Sequence, residues 1–127
     1  MESDLALNYD RLGEVYTLTQ DDASAERSYR QALRLDPRLV SSRLGLAKIY
    51  QRQGKYAQAL SEIDVAAKVD PERPDVHYLR GRTSAAMGHK EESKREWAEV
   101  KRIENTVGEK TESGTVPSPE LLQESPQ

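Results

Sequence analysis

The stretch ALNYDRLGEVYTLTQDDASAERSYRQALRLDPRL, residues 6–39, decides the fold because its pattern returns 34 residues later. The residues that recur at this step are Leu12 as Leu46, Tyr16 as Tyr50, Ala25 as Ala59, Ala32 as Ala66, and Pro37 as Pro71. Self-similarity at a fixed period of roughly 20 to 50 residues is typical of repeat architectures. The sequence therefore predicts tandem copies of one structural unit at residues 6–39 and 40–73, with a more divergent copy at residues 74–107.

Each copy has the pattern of two amphipathic helices, since its apolar residues fall at helical spacing. Gly54 and Gly88 mark a tight turn inside a copy, and Pro37 and Pro71 mark the break between copies. Glycine permits the backbone conformations of a helical turn, and proline suits only the first turn of the helix that follows it. We predict six helices, near residues 4–18, 22–35, 40–53, 56–69, 74–87 and 90–104.

Small and large residues alternate in a way that indicates close helix crossings. The small residues expected at the crossings are Gly13, Ala25, Ala32, Ala47, Ala59 and Ala66. The larger residues expected to fill the space between helices are Tyr9, Tyr16, Tyr29, Tyr50 and Ile63. Much of the stability of such a stack comes from the interface between neighbouring repeats.

This pattern resembles the tetratricopeptide repeat, whose signature places aromatic, Leu-Gly, Tyr, Ala, aromatic, Ala and Pro at fixed intervals. The first copy fills those positions with Tyr9, Leu12-Gly13, Tyr16, Ala25, Tyr29, Ala32 and Pro37. The second fills them with Arg43, Leu46-Ala47, Tyr50, Ala59, Ile63, Ala66 and Pro71. The resemblance implies an all-α, right-handed α-solenoid of three helix-turn-helix repeats and six helices.

The third copy keeps Gly81, Gly88 and Trp97 of the pattern. It has polar residues at the other positions, namely Arg80, Ser84, Ser93 and Asn105. A terminal repeat has an outer face that no neighbour covers, so we interpret this copy as a C-terminal cap. Residues 1–107 are then the repeat domain, and residues 108–127 are predicted to be a disordered acidic tail, because they are rich in Ser, Thr, Pro, Glu and Gly.

The composition is that of a soluble chain, with 35% hydrophobic and 32% charged residues and no cysteine. No apolar run is long enough to span a membrane. The start, Met1 to Asp4, lacks the basic and apolar segments of a secretory signal peptide, so the cytoplasm is the default location and membrane insertion is not expected. Residues 1–104 balance 18 acidic against 18 basic side chains, which argues against a nucleic-acid partner.

The sequence lacks the groupings that catalysis requires. His77 and His89 are the two histidines, and their twelve-residue separation matches no metal-ligand spacing. We expect both on the surface. No nucleophile motif or phosphate-binding loop is present. We therefore predict a protein that is not an enzyme, with no metal site and no cofactor.

The resemblance also implies where a partner binds, since the first helices of such repeats line a concave face. Glu14, Lys48 and Arg82 are equivalent residues of the three first helices. Neighbouring positions add Asp10, Gln51, Arg52 and Tyr78 to the predicted groove. Its charge runs from acidic to basic, which would orient a peptide of opposite polarity, with the acidic end of the peptide at Lys48, Arg52 and Arg82.

Some members of this family bind the C-terminal carboxylate of chaperones through lysines, arginines and asparagines. The equivalent positions here are Asp10, Glu14, Gly45, Asp75 and Leu79. We therefore do not expect a receptor of that type. A second basic stripe, formed by Arg27, Arg30, Arg34 and Arg38, is predicted to be solvent-exposed on the convex side.

The pattern favours an interaction module, a scaffold or adaptor that binds a protein or peptide segment in its groove. Two alternatives stay open at this stage. One is a structural role, in which the N-terminal face associates with another copy of the chain or with further repeats. The other is a regulatory part of a larger enzyme or repeat array, because the fold alone does not choose a function.

Overall fold

The computed structural model describes the backbone of residues 2–112 and the side chains of residues 4–106. Within that part of the chain it contains six α-helices and no β-strand. The helices are α1 (Glu2–Leu18), α2 (Asp22–Leu35), α3 (Val40–Arg52), α4 (Tyr56–Val69), α5 (Pro74–Ala86) and α6 (Lys90–Glu112). The all-α fold and the six predicted helices are confirmed.

The helices form three hairpins that stack in chain order. Each hairpin pairs two consecutive helices: α1 with α2, α3 with α4, and α5 with α6. The second helix of one hairpin packs on the first helix of the next, as α2 on α3 and α4 on α5. The first helices also contact one another, α1 with α3 and α3 with α5, so these three lie side by side along the stack.

The turns inside the hairpins depend on one residue with a left-handed backbone. Gly54 has φ of 75° and Gly88 has φ of 83°, as their predicted role requires. The equivalent residue of the first hairpin is Gln20, with φ of 64°, although a side chain makes that conformation unfavourable. The sequence pattern did not indicate this position, because glutamine gives no turn signal.

The predicted crossing alanines all lie at buried contacts. Ala25, Ala32, Ala47, Ala59 and Ala66 are each 0% exposed. Four of these alanines, Ala25, Ala47, Ala59 and Ala66, belong to one continuous core cluster. The cluster also contains Tyr29, Leu33, Leu44, Leu46, Ile49, Tyr50, Ile63, Val76 and Leu79. The core therefore runs from the first hairpin into the third rather than being divided by repeat.

Helix α6 is longer than predicted. It continues to Glu112, past the expected end near residue 104, so the predicted domain end at residue 107 falls inside the helix. No proline follows until Pro117, and Gly108 alone does not stop a helix that is already propagating. The remainder of the predicted disordered tail, residues 113–127, lies outside the described residues.

The third hairpin is polar on the inside as well as on the outside. Ser84 is 1% exposed and Ser93 is 4% exposed, so these residues are not a solvent-facing surface of a cap. His77 was expected at the surface, but its side chain is only 12% exposed. Its Nδ1 atom lies 2.7 Å from a carboxylate oxygen of Glu96, and its Nε2 atom lies 2.7 Å from the carbonyl oxygen of Pro71.

Candidate functional site

The candidate site is the face formed by α1, α3 and α5, here called the first-helix face. It contains two open depressions. The larger one has a volume of about 610 Å³ and is lined by Lys48, Gln51, Arg52, Tyr56, Arg82, Ala85, Ala86 and Trp97. Four of the seven predicted groove residues, Lys48, Gln51, Arg52 and Arg82, therefore share one depression.

The smaller depression has a volume of about 440 Å³ and lies towards α1. Its lining residues are Glu14, Thr17, Leu18, Tyr29, Ser41, Leu44, Gly45, Lys48, Arg73 and Asp75. Lys48 borders both depressions, so the two form one continuous surface along the stack. Glu14, Lys48 and Arg82 thus occupy the same face, as their 34-residue spacing predicts.

The cations of the larger depression differ in whether they are already paired. Arg52 is bound to the carboxylate of Asp22, the first residue of α2. Among the side chains of residues 4–106, neither Lys48 nor Arg82 forms an ion pair or a side-chain hydrogen bond. Both are exposed. This depression therefore offers two positive charges that are outside any ion pair of the described side chains, although the charge of Lys48 also helps to lower the pKa of Asp75.

The smaller depression has a different charge arrangement. Arg73 donates to both carboxylate oxygens of Asp75, through Nε and Nη2, each at 2.9 Å. Burial opposes the charge of Asp75, but the hydrogen bonds and charge of Arg73 outweigh it, so the pKa of Asp75 is lowered. Glu14 has no such partner within residues 4–106. The negative charge left unpaired in this depression is that of Glu14.

Asp10 and Tyr78 line neither depression. Asp10 is 5% exposed and accepts a hydrogen bond of 2.6 Å from the Ser42 hydroxyl, so its carboxylate joins α1 to α3. Tyr78 is 49% exposed and packs edge-on against Trp97, with ring centroids 5.3 Å apart. Asp10 therefore helps to hold α1 and α3 together below the first-helix face. Tyr78 packs against Trp97, whose indole lines the larger depression.

The sequence pattern did not indicate Tyr56, Ala85, Ala86 or Trp97 as part of this face. Trp97 belongs to the second helix of its hairpin, yet it reaches the first-helix face because Gly81 leaves it room. An added β-carbon at Gly81 would lie 3.1 Å from the Trp97 ring. The sequence does contain one indication of this contact. Gly81 is followed one turn later by Ala85 and Ala86, so α5 has no large side chain that would cover the indole of Trp97.

Within the side chains that the structure describes, no three His, Cys, Asp or Glu residues are arranged to hold a metal ion. Among the described helices, none is both long enough and apolar enough to cross a membrane. On the convex side, Arg30 is bound to Glu26 at 2.9 Å and donates to the hydroxyl of Tyr50. Part of the predicted basic stripe is thus used in contacts within the stack.

Comparison with known families and proteins gives a consistent result. The family model for the tetratricopeptide repeat matches residues 20–83. Cellulose synthase operon protein C of Pseudomonas fluorescens (strain SBW25) is 33% identical over 103 residues, which are 81% of this chain. This chain spans only 7% of the length of that protein.

Two solved structures share the fold. The first TPR of Spaghetti (RPAP3), bound to the HSP90 peptide SRMEEVD, has a TM-score of 0.78 and 24% identity, over 81% of this chain and 82% of that chain. The crystal structure of MamA has a TM-score of 0.78 and 15% identity, over 84% of this chain and 63% of that chain. At these identities the likeness is one of fold, an α-solenoid of stacked helical hairpins.

Proposed function

Because this chain belongs to the tetratricopeptide repeat family, we propose that it is a non-catalytic scaffold or adaptor that binds a peptide or protein segment along the first-helix face. The family fold is generally one for protein interaction, and its repeats present an extended concave surface. The observation that carries the proposal is that Lys48 and Arg82, two cations outside any ion pair of the described side chains, line one open depression together with the indole of Trp97.

We propose that the bound segment is acidic at the end that meets the larger depression. Lys48 and Arg82 would bind its carboxylates directly, and Arg52 would add positive charge although it is paired with Asp22. Trp97 and Tyr56 would pack against an apolar side chain beside those carboxylates, since aromatic surfaces supply much of the contact energy in such sites. Gln51 can donate to or accept from the backbone of the segment.

The other end of the segment would meet Glu14 across the smaller depression, which is lined by the apolar side chains of Leu18 and Leu44 and by Tyr29. Opposite charges at the two ends would fix the direction of the segment and reject the reversed one. Asp10 and Tyr78 serve this proposal indirectly, Asp10 through Ser42 and Tyr78 through Trp97.

A protein of similar fold holds the acidic peptide SRMEEVD of HSP90, which supports an acidic segment as the class of ligand. The positions that the chaperone-binding members use are different in this chain, where they are Asp10, Glu14, Gly45, Asp75 and Leu79. We therefore propose an acidic segment other than a chaperone C-terminus. The predicted absence of catalysis and the cytoplasmic location remain part of the proposal.

A displayed library of random peptides provides the test, followed by calorimetric binding of a selected peptide to the full chain. We expect selection of peptides with clustered Asp or Glu beside an apolar residue. The double variant Lys48→Glu/Arg82→Glu should weaken binding by at least about tenfold, which corresponds to about 1.4 kcal/mol. Binding should also weaken as salt is raised.

The matched control is Arg34→Glu/Arg38→Glu, the same double charge reversal on exposed residues of the convex side. It should leave the affinity unchanged, because it changes the net charge equally but not the first-helix face. Equal loss in both variants would mean that only net charge attracts the peptide. Full retention of binding in Lys48→Glu/Arg82→Glu would contradict the proposed site.

A further inference from the structure

The sequence beyond α6 contains a segment with the chemistry of the proposed ligand. Residues 113–127 include Glu120 and Glu124 but no lysine or arginine. Glu120 is followed directly by Leu121 and Leu122, and we call residues 120–122 the tail motif, which lies outside the described residues. A carboxylate beside two leucines suits the larger depression, which combines exposed cations with the indole of Trp97.

The position of α6 determines whether the tail motif can reach that depression. Arg102 of α6 binds Glu72, just before the start of α5, at 2.7 Å, so α6 passes that point and continues beyond it. Its last residue, Glu112, is fifteen residues past Trp97, which is about 22 Å at the helical rise of about 1.5 Å per residue. The eight residues 113–120 can span about 26 Å. The tail motif can therefore return along α5 to the level of Trp97 while α6 stays intact.

Charge selects the larger depression over the smaller one. Lys48 and Arg82 in the larger depression are exposed and form no ion pair within residues 4–106. The smaller depression presents the carboxylate of Glu14, which would repel a glutamate. The sequence after Lys110 has no basic residue that could pair with Glu14. The tail motif is therefore complementary to the larger depression alone.

Attachment to the same chain makes even a weak contact effective. A segment joined to its site by a short linker meets that site at an effective concentration on the order of millimolar. An affinity on the order of millimolar is then sufficient for the tail motif to occupy the larger depression about half of the time. A separate peptide that binds the same depression has to compete with this occupancy.

We propose that the tail motif binds the larger depression of its own chain and competes there with an external segment. Glu120 binds Lys48 and Arg82, and the two leucines pack on Trp97. Glu14 stays accessible, so an external segment with a basic end can bind the smaller depression and then displace the tail motif. The competition rests on the proposed function, whereas the contact with Trp97 can be measured without an external segment.

Trp97 reports the contact directly, because it is the only tryptophan of the chain and is partly exposed. The measurement is acrylamide quenching of its fluorescence in the full chain. Glu120→Lys and Leu121→Ser/Leu122→Ser should each raise the quenching constant, since each removes one part of the contact that covers the indole. Added salt should raise the constant of the natural chain as well, because it screens the charge of Glu120 from the two cations.

The matched control is Glu124→Lys, which changes the net charge as much as Glu120→Lys does but lies outside the tail motif. It should leave the quenching constant nearly unchanged. An equal rise in Glu124→Lys and Glu120→Lys would mean that only net charge acts, and would overturn the proposal. Quenching of the natural chain that falls as protein concentration rises would assign the contact to the tail of a second copy and also overturn it.

Competition is measured by calorimetric titration of a peptide selected from the displayed library into the full chain. Glu120→Lys should strengthen binding of that peptide by about twofold or more, because it removes a competitor of millimolar effective concentration. Unchanged affinity in Glu120→Lys would overturn the competition.

The two measurements distinguish failure of this inference from failure of the proposed function. Peptide binding without any rise in quenching in the Glu120→Lys and Leu121→Ser/Leu122→Ser variants would overturn the tail contact and leave the proposed function standing. The absence of a binding peptide even for Glu120→Lys would contradict the proposed function, and a rise in quenching would still support the contact of the tail motif with Trp97.

Discussion

At the residue scale, each hairpin matches a small residue of its first helix to a large residue of its second. The equivalent pairs are Gly13 with Tyr29, Ala47 with Ile63, and Gly81 with Trp97. An added β-carbon at Gly13 would lie 2.6 Å from the Tyr29 ring, and one at Gly81 would lie 3.1 Å from Trp97. Where the second helix has an aromatic ring the first has glycine, and where it has isoleucine the first has alanine.

Tyr29 requires a second glycine, Gly45, on the neighbouring hairpin. An added β-carbon there would clash with the Cζ atom of the Tyr29 ring. We therefore expect Gly45→Ala to lower the free energy of unfolding by about 1–3 kcal/mol through overpacking. Urea denaturation followed by circular dichroism measures this loss.

Ser41→Ala, on the same helix, is the matched control for Gly45→Ala and should change stability by less than about 0.5 kcal/mol. The double variant Gly45→Ala/Tyr29→Leu should lose less than the sum of its single changes, since both act on one contact. Additive losses would mean that the ring and Gly45 do not meet in solution.

Gln20 is the one non-glycine residue of the described backbone with positive φ, at 64°. Gln20→Gly should raise the free energy of unfolding by about 0.5–1 kcal/mol, because a side chain in this conformation is strained by about 1–2 kcal/mol and glycine is not. Thermal unfolding by calorimetry would measure the gain.

The control for this change is Gln53→Gly, because Gln53 has φ of −83° and has no left-handed strain to relieve. That change should leave stability equal or lower, through the greater entropy of glycine in the unfolded chain. A loss of stability in Gln20→Gly would show that the glutamine side chain makes a compensating contact.

The residues that could be predicted from the sequence are those that repeat. The buried alanines and the turn glycines recur at 34 residues, so their environment recurs as well. Gln20 and Gly45 could not be predicted, since each breaks the pattern: Gln20 stands where the other copies have Gly54 and Gly88, and Gly45 stands where they have Arg11 and Leu79. Non-repeating positions depend on three-dimensional neighbours that one sequence does not give.

At the scale of the helices, α4, α5 and α6 are joined by a partly buried charge network. Arg80 donates to Asp64 at 2.9 Å and to Glu96 at 3.1 Å, and Glu96 also binds His77. Burial opposes the charge of Arg80, but its hydrogen bonds to Glu96 and Asp64 outweigh that effect and raise its pKa. The network replaces the apolar contact that Leu46 makes at the equivalent position.

Replacement of Glu96 by glutamine should weaken this network without a change of size. Its side chain is 11% exposed, and hydrogen bonds to charged groups contribute about 1.5–3 kcal/mol each in net terms, so we expect a loss of about that amount in unfolding free energy. Glu91→Gln in the same helix is the control. Glu91 is 80% exposed and 3.6 Å from Lys94, so its loss should be under about 0.5 kcal/mol.

Equal effects of Glu96→Gln and Glu91→Gln on chemical denaturation would contradict a structural role for the network. The network also explains why sequence reasoning failed for His77. A lone histidine on a polar helix has the pattern of a surface residue, and only the packing of α6 on α5 brings Glu96 to it.

At the scale of the whole molecule, equivalent leucines of the first and second hairpins should contribute differently to stability. Leu46→Ala removes a side chain that is 1% exposed and should cost about 2–5 kcal/mol of stability. Leu12→Ala changes the equivalent side chain, which is 40% exposed, and should cost less than about 1 kcal/mol. Denaturation of both variants in parallel makes the comparison, and equal costs would contradict the uncovered state of α1.

The architecture of the whole molecule follows from the repeat, but the boundary of its binding surface does not. The 34-residue step placed Glu14, Lys48 and Arg82 on one face, because equivalent residues of stacked hairpins point the same way. It did not reveal that Trp97 packs against Gly81 and so reaches that face, or that the Asp10 carboxylate accepts a hydrogen bond from Ser42. Such departures depend on side-chain volume and hydrogen bonding between neighbouring repeats.

The contacts between successive hairpins differ in how far they depend on charge. Leu33 and Leu46 join the first hairpin to the second, whereas Arg80 joins the second to the third through Asp64, whose side chain is 59% exposed. Apolar contacts lose strength on cooling, and salt screens ion pairs that water reaches. Concentrated salt should therefore weaken the contact that Arg80 makes with Asp64 between the second hairpin and the third. Cooling should weaken the apolar contacts on both sides of the second hairpin, because Val76 and Leu79 of α5 belong to the same buried cluster as Leu33 and Leu46.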